Sequence, residues 1–419
     1  MRKYLIDGGG PLSGAATVAK AKNAVLPLLA ASVMADGPVA LRKCPPIADV
    51  VNMLGILNGL GCRVSHSPDF DIRVDASNAG GTELPADLAR ELRSSIFLLG
   101  PLLGRFKTAR AAYPGGCDIG FRPIDLHLKG LRDLNVKITE GYGGIVCDGR
   151  EMRGAETMLE VPSVGATENL MMAAALAPGR TVIRNAAKEP EIADLQRFLN
   201  AMGGRVAGAG SSTVKIEGVA KLNGAEFTPL PDRIEAGTLM LACALAGGRI
   251  VLNEVNCEHL FPLIAKLREG GVGVVCGEGS LTVEAAGRPS ACVGMETQPY
   301  PGFPTDLQAP FLSLQAASDG VCVIRENLFE TRFKHVPELI KMGADITVRD
   351  RTAIVRGVKS LRGAQVAARE LRGGAALAIA AIAAKGTSVV EGVRHIERGY
   401  YKFEEKLRAL GAKIDVLGN

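Results

Sequence analysis

The sequence predicts an α/β protein of two domains, each built from three units of βαβαββ type. Three recurring phrases carry that prediction. The first is a helix end, a Gly or Asn, and then a strand. The second is an apolar helix of small residues, a Gly and a β-branched strand. The third joins one unit to the next through a glycine and a short polar stretch. The first phrase occurs six times at intervals of about 70 residues, which is the mark of a repeat architecture.

Taken along the chain, the first phrase reads Leu57-Asn58-Gly59-Leu60-Gly61-Cys62-Arg63-Val64. It returns over 131–138, 199–206, 267–274, 340–346 and 407–414. Its physical sense is a helix closed by a residue in the left-handed conformation, after which the chain extends. The second phrase occupies 22–43, 94–111, 165–185, 234–253, 306–327 and 373–391. Faces rich in Ala and Gly let helices approach closely, so these are the expected buried helices. The third phrase pairs Ile216-Glu217-Gly218 and Leu222-Asn223-Gly224-Ala225 with Val355-Arg356-Gly357 and Leu361-Arg362-Gly363-Ala364. It stands also at Ile6-Asp7-Gly8 and Leu12-Ser13-Gly14-Ala15, whereas the stretch ending at Asn419 lacks it. The first residues are therefore expected to complete the sixth unit. The domains expected are 22–230, and 1–21 plus 231–419, with linkers near Lys20-Ala21 and Pro229-Leu230-Pro231. A cleft between two such domains is the usual place for a small-molecule site.

Composition narrows the function classes. The 419 residues are 47% apolar and 22% charged, a globular balance, and with 4% aromatics and no Trp the cores must be aliphatic. A net charge of +5 is too mild to argue for nucleic acid and suits an anionic small substrate. The nine Cys are scattered singly, with no C-x-x-C pair, which points to a reduced, cytoplasmic protein without a disulfide scaffold. The N-terminus has no signal-peptide core, and the run Ala375–Ala384 is too short to span a bilayer, so no membrane association is expected.

The densest local signal is Tyr113-Pro114-Gly115-Gly116-Cys117-Asp118-Ile119-Gly120-Phe121-Arg122-Pro123. So much Gly and Pro makes a loop, and a thiol on a loop is there for reactivity, with Arg122 nearby to favour the thiolate. After it, Ile124, Leu126, Leu128 and Leu131 follow helical spacing. Pro123 is read as a first helical position with Asp125 just inside, which sets Arg122 beside free backbone N–H groups. Other candidates stand where the small-residue helices begin: Lys22-Asn23, Arg93, Asp306 and Arg372. Equivalent helix ends of repeated units fall on equivalent faces, and helix N-termini attract anions. Asp306 reads equally well as a plain N-terminal cap. Arg332 and Arg398 add guanidinium forks suited to carboxylate and phosphate. His127, His335 and His395 have no metal-type spacing, so no metal is assigned. Gly8-Gly9-Gly10 is neither a Walker loop nor a dinucleotide fingerprint.

With these residues in view, the chain resembles the UDP-N-acetylglucosamine enolpyruvyl transferases (1-carboxyvinyltransferases) over essentially its whole length. The motifs are Ala21-Lys22-Asn23-Ala24, the Pro114–His127 stretch around Cys117, and Ser163-Val164-Gly165-Ala166-Thr167. Further on come Gly302-Phe303-Pro304-Thr305-Asp306, Arg332-Phe333-x-His335-Val336 and His395-Ile396-x-Arg398-Gly399-Tyr400. The resemblance implies a two-domain inside-out α/β barrel, the enolpyruvyl transferase fold. It implies transfer of the enolpyruvyl group of phosphoenolpyruvate to the 3-hydroxyl of UDP-N-acetylglucosamine, with loss of phosphate, in peptidoglycan precursor synthesis. It implies no cofactor, a monomer, and a fosfomycin target.

Roles follow by position. Cys117 resembles the loop thiol that protonates the methylene carbon and forms a covalent adduct with phosphoenolpyruvate. Asp306 resembles the group that takes the sugar hydroxyl proton. Lys22, Arg122 and Arg398 are expected on the phosphate, with Arg93 near it, and Arg332 and Arg372 on the carboxylate. Asn23 is expected on the sugar. Arg122, Pro123, Ile124, Asp125, Leu126, Ser163, Val164, Gly165 and Leu328 match positions at the uridine diphosphate end. Where some members carry a Lys before Ser-Val-Gly-Ala-Thr, this chain has Glu160-Val161-Pro162, so that pyrophosphate contact does not transfer. The related 5-enolpyruvylshikimate-3-phosphate synthases lack the Cys loop and carry a Gly-Asn-Ala-Gly-Thr stretch absent here. A ring-shaped DNA clamp would need Lys and Arg on helices that here read Asn169-Leu170-Met171-Met172-Ala173-Ala174.

Overall fold

The computed structural model describes residues 2–113, 124–141 and 144–418. The chain divides into two compact units, residues 20–230 and residues 2–19 with 231–418, the undescribed residues left aside. Among the described residues there are six sheets, three in each unit, and they repeat one plan.

The plan is clearest in the sheet around Arg180–Arg184. This strand lies parallel to Glu156–Met158 and antiparallel to Thr213–Glu217, which pairs in turn with Arg205–Ala207. The helix Val164–Ala175 connects the two parallel strands, and Pro190–Ala201 connects to the antiparallel pair. Strand, helix, strand, helix, strand, strand is the βαβαββ order. The sheet of Gly294–Glu296, Val321–Arg325, Thr352–Arg356 and Asp345–Arg349 repeats it. The sheet Thr108–Ala111, Gly144–Asp148, Lys137–Gly141 has three strands, and a single parallel bridge between Glu83 and Arg110 stands where the first strand would be.

Three sheets borrow a strand from far away in sequence. Lys3–Gly8 lies antiparallel between Gly386–Glu391 and Lys413–Leu417, with Ile6 opposite Ser388 on one side and Ile414 on the other. Glu226–Phe227 returns to lie parallel to Val39–Leu41. In the same way Leu12–Thr17 runs parallel to Gly248–Asn253 and supplies the first strand of that sheet.

The helices inside each unit explain the small-residue pattern. Arg233–Ala246, Gln308–Ala317 and Leu371–Ala383 pack on one another, and nearly all their residues are buried. A helix that is apolar all round belongs in a core. Ala375, Ala376, Ala378, Ala380 and Ala381 keep the axes close, while Leu239, Met240, Phe311, Leu312 and Ile379 fill the space between. Each large side chain so buried contributes about 1.5–3 kcal/mol relative to an exposed one. In the other unit Leu99–Phe106 packs on Val164–Ala175. A Cβ at Gly100 would sit 2.2 Å from the Asn169 carbonyl oxygen, so only glycine permits that approach.

The first sequence phrase is a Schellman-type helix end in all six places. Gly61, Asn135, Gly203, Gly271, Gly343 and Gly411 all have positive φ, between 66° and 96°. The following N–H reaches back to the carbonyl five residues earlier, as in Cys62 to Leu57 and Ala412 to Leu407, both 3.0 Å.

Candidate active site

The second unit gathers Asp306, Arg332 and Arg372 into one ion-paired group. Asp306 lies in the single 3-10 turn Thr305–Leu307 that precedes Gln308–Ala317. Arg372 is the second residue of the Leu371–Ala383 helix. Arg332 comes from the irregular stretch before Val336–Lys341. Arg332 Nη2 donates to Asp306 Oδ1 at 2.6 Å, and Arg372 Nη2 donates to Oδ2 at 2.9 Å. Both Arg side chains are 3% exposed, against 24% for Asp306, so the carboxylate is the rim of the group and the guanidiniums its floor. Burial alone would raise the Asp306 pKa. The charges of Arg372 and Arg332 and their hydrogen bonds outweigh it and hold the carboxyl well below the usual range.

Carboxylate chemistry behind this group fixes its geometry. Glu326 is fully buried and accepts from Thr297 Oγ1 and Thr305 Oγ1, both at 2.9 Å, and from the N–H groups of Leu328 and Phe329. Thr305 Oγ1 in turn accepts from Arg332 Nη1 at 2.8 Å. Arg372 lies over the Tyr400 ring at 5.1 Å, and the Tyr400 hydroxyl meets Thr238 Oγ1 at 2.9 Å. Even so, Arg332 Nε and Arg372 Nε and Nη1 are buried with no hydrogen-bond partner among the described residues. Buried guanidinium donors left unpaired are costly and call for an anion.

The first unit holds the other group. Lys22 Nζ and Asp49 Oδ2 are 2.7 Å apart, with the side chains 13% and 5% exposed. They open neighbouring helices, Lys22–Ser32 and Ala48–Gly59. Arg93 opens the 3-10 stretch Arg93–Leu98 and acts on buried His127. Burial, then the Arg93 charge, lowers the His127 pKa to about 3, so the ring is neutral. Its tautomer follows from Asn169, whose Oδ1 accepts from Gly100 N at 2.6 Å and whose Nδ2 donates to Ile96 O at 3.1 Å. The same Nδ2 faces His127 Nδ1 at 3.1 Å, so Nδ1 accepts and the ring proton sits on Nε2. Gly165 leaves room for that edge, since a Cβ there would come within 3.2 Å of Nε2.

Of the residues singled out in sequence, Asp306, Arg332 and Arg372 touch one another. Leu328 is tied to them through Glu326, and Arg398 follows the short helix Arg394–Glu397. Arg398 acts with burial and Arg394 to lower the His395 pKa. Lys22, Asn23, Arg93, Ser163, Val164 and Gly165 lie at helix starts of the other unit. Ser163 Oγ caps its helix by accepting from Ala166 N at 3.3 Å. Ile124 is buried, Leu126 half-buried and Asp125 exposed. Cys117, Arg122 and Pro123 lie outside the described residues.

The helix after the loop begins at Asp125 with Ile124 as its cap, and Pro123, expected as its first helical position, lies outside the described residues. Two readings need correction. Asp306 makes no capping bond, because both its oxygens are taken by arginine. The start of the Arg372 helix is not a free anion site either, since the Glu370 carboxylate already accepts from Arg372 N and Gly373 N. Sequence reasoning also missed Asp49, Thr305, Glu326, His127, Asn169 and Tyr400. Thr305, His127 and Tyr400 stood inside recognised motifs, whereas nothing local marked Asp49, Asn169 or Glu326.

Comparison with known proteins identifies the family. The profile of the EPSP synthase (3-phosphoshikimate 1-carboxyvinyltransferase) family matches residues 6–407. The chain is 51% identical to UDP-N-acetylglucosamine 1-carboxyvinyltransferase 2 of Caldanaerobacter subterraneus subsp. tengcongensis, with 99% of each chain covered. It is 49% identical to UDP-N-acetylglucosamine 1-carboxyvinyltransferase 1 of Symbiobacterium thermophilum, covering 98% of this chain and 94% of the other. The crystal structure of the enolpyruvyl transferase NikO from Streptomyces tendae superposes with a TM-score of 0.90 at 26% identity, with 99% of both chains covered. EPSP synthase from Acinetobacter baumannii, at 18% identity, shares the fold with a TM-score of 0.73 over both whole chains.

Proposed function

Because the chain belongs to the EPSP synthase family, and within it to the UDP-N-acetylglucosamine 1-carboxyvinyltransferases, we propose that it makes the enolpyruvyl ether of UDP-N-acetylglucosamine in peptidoglycan precursor synthesis. The 3-hydroxyl oxygen adds to C2 of phosphoenolpyruvate while C3 gains a proton. The tetrahedral adduct then loses a proton from C3 and expels phosphate, which restores the double bond. No electrons are gained or lost overall, and both steps need an acid and a base.

The observation that carries this reading is the Asp306 group. It sets a carboxylate beside two buried guanidiniums that still have unpaired donors. In this state Asp306 is a poor base, because Arg332 and Arg372 stabilise its charge. A substrate carboxylate docked on the same guanidiniums would share them, weaken their hold on Asp306 and raise its basicity. Binding of phosphoenolpyruvate would thus prepare Asp306 to take the hydroxyl proton. Lys22, Arg122 and Arg398 take the phosphate in this scheme, with Arg93 close by. Cys117 delivers the proton to C3 and forms the adduct. Asn23 and His127 Nε2–H serve the sugar, and the remaining motif positions from Pro123 to Gly165, with Leu328, serve the nucleotide. The expected setting is a monomeric cytoplasmic enzyme of cell-wall biogenesis that supports cell shape and division, requires no cofactor, and loses activity when fosfomycin alkylates Cys117.

The test is phosphate release from phosphoenolpyruvate with UDP-N-acetylglucosamine or with shikimate 3-phosphate. Release with the sugar nucleotide alone is expected, and Asp306→Asn should lower kcat by about 100-fold or more. Release driven by shikimate 3-phosphate would sink the assignment.

A further inference from the structure

Eight cysteines lie among the described residues, and six of them are buried. Cys276 is exposed and Cys257 half-exposed, and the two belong to the same corner of the second unit. Cys276 stands near the end of the edge strand Gly273–Gly277, which pairs with Ser280–Ala285. It shares a face with Val274, two residues back, whose side chain is buried in the core. Cys276 therefore points to the core side of the sheet, at the place where the covering layer ends. Cys257 opens the 3-10 turn Cys257–Leu260, which leads into the helix Phe261–Glu269 packed on that strand. Cys257 Sγ lies 3.8 Å from the Ser280 carbonyl oxygen. Ser280 is paired with Gly277, directly beside the pair of Cys276 and Leu281.

We propose that Cys257 and Cys276 form an oxidisable dithiol that closes into a disulfide and fastens the edge strand to the turn above it. Cys276 acts electrostatically on the Cys257 thiol, and Arg268 acts on the same corner while its Nη2 holds the Val274 carbonyl at 2.8 Å. Burial and the neighbouring Cys276 raise the Cys257 thiol to about 12, which makes it a poor first nucleophile. The exposed Cys276 is thus the sulfur that an oxidant meets. With hydrogen peroxide, the Cys276 thiolate attacks one oxygen and breaks the O–O bond, giving a sulfenic acid and releasing hydroxide. The Cys257 sulfur then displaces the sulfenic oxygen, which leaves as water. Two thiols and one peroxide become one disulfide and two waters, a two-electron oxidation of sulfur. The link closes the loop 257–276, which restricts the unfolded chain more than the folded one.

The experiment uses the full chain carrying Cys117→Ser, so that the loop thiol does not enter the count. The protein is treated with hydrogen peroxide in the folded state, digested without reductant and examined by mass spectrometry. A peptide pair joined through Cys257 and Cys276 is expected, together with loss of two titratable thiols and a rise of several degrees in Tm, all reversed by dithiothreitol. Adding Cys257→Ser should divert Cys276 to sulfenic and sulfinic acid and abolish the shift in Tm. Wild-type Cys276 driven to sulfinic acid while Cys257 stays a thiol would overturn the proposal. So would a cross-link joining any other pair.

Discussion

At the scale of single residues, the active-site groups trade stability for readiness. Asp306 answers two buried guanidiniums, and breaking a buried ion pair from one side leaves uncompensated charge. Asp306→Ala is expected to lower unfolding stability by about 3 kcal/mol besides abolishing turnover, as measured by denaturant titration. The histidines set the acid limit. His127 and His335 are both held at about 3 by burial first and then by Arg93 and Arg332, against 6.5 in the unfolded chain. Below pH 6.5 the unfolded state takes up protons that the folded state refuses, so stability is lost as pH falls toward 3. Each histidine adds up to about 1.4 kcal/mol per pH unit in that window. Thermal unfolding across pH 4–7 should show this fall, and His335→Gln should flatten it. Glu168 works in the opposite direction. It is fully buried, both its oxygens lack partners among the described residues, and burial with Glu191 and Glu189 raises its pKa. Its contribution is complete below pH 4.5 and fades as pH rises, so Glu168→Gln should gain stability relative to wild type at alkaline pH. None of these partnerships was legible in sequence. Lys22 with Asp49, or Thr305 with Glu326, joins residues far apart in the chain, and no local pattern announces an ion or hydrogen-bond partner.

At the scale of elements, the glycines were the most legible part of the chain and the structure shows why. Gly218 and Gly357 hold the same place in two copies of the linking phrase. A Cβ on either would fall 1.6 Å from the Ala177 carbonyl oxygen or 1.7 Å from that of Ser318. Those carbonyls lie just past the ends of the buried helices Val164–Ala175 and Gln308–Ala317, so backbone must move to admit a methyl group. Gly218→Ala and Gly357→Ala are each expected to cost about 3 kcal/mol or more, far beyond an ordinary surface change. Equal values near zero in chemical denaturation would refute the steric argument. The βαβαββ order was legible because cap, helix and strand signals recur together. The parallel pairing of Glu226–Phe227 with Val39–Leu41 was not, since two residues carry no periodicity. The missing strand of the three-stranded sheet was equally hidden, because a single bridge at Glu83 leaves no pattern to read.

At the scale of the whole molecule, the two units differ in how their chain is assembled. The described residues between 20 and 230 make one unit, closed by Glu226–Phe227. The other unit needs Lys3–Gly8 between Gly386–Glu391 and Lys413–Leu417, with Tyr4 and Ile6 fully buried in its core. A fragment of residues 20–230 is expected to unfold cooperatively by circular dichroism. A fragment of residues 231–419 should do so only when a peptide of residues 1–19 is added. Cooperative melting of the second fragment alone would show that the borrowed strands are dispensable. The borrowed strand also fixes an order of events at the ribosome. Lys3–Gly8 leaves the exit tunnel long before the neighbour on its far side, Lys413–Leu417. A nascent chain must therefore carry an unpaired, half-apolar strand while the intervening unit is made and folds behind it. That makes this segment a natural handle for a chaperone, and it makes emergence of Lys413–Leu417 the step that completes the second core.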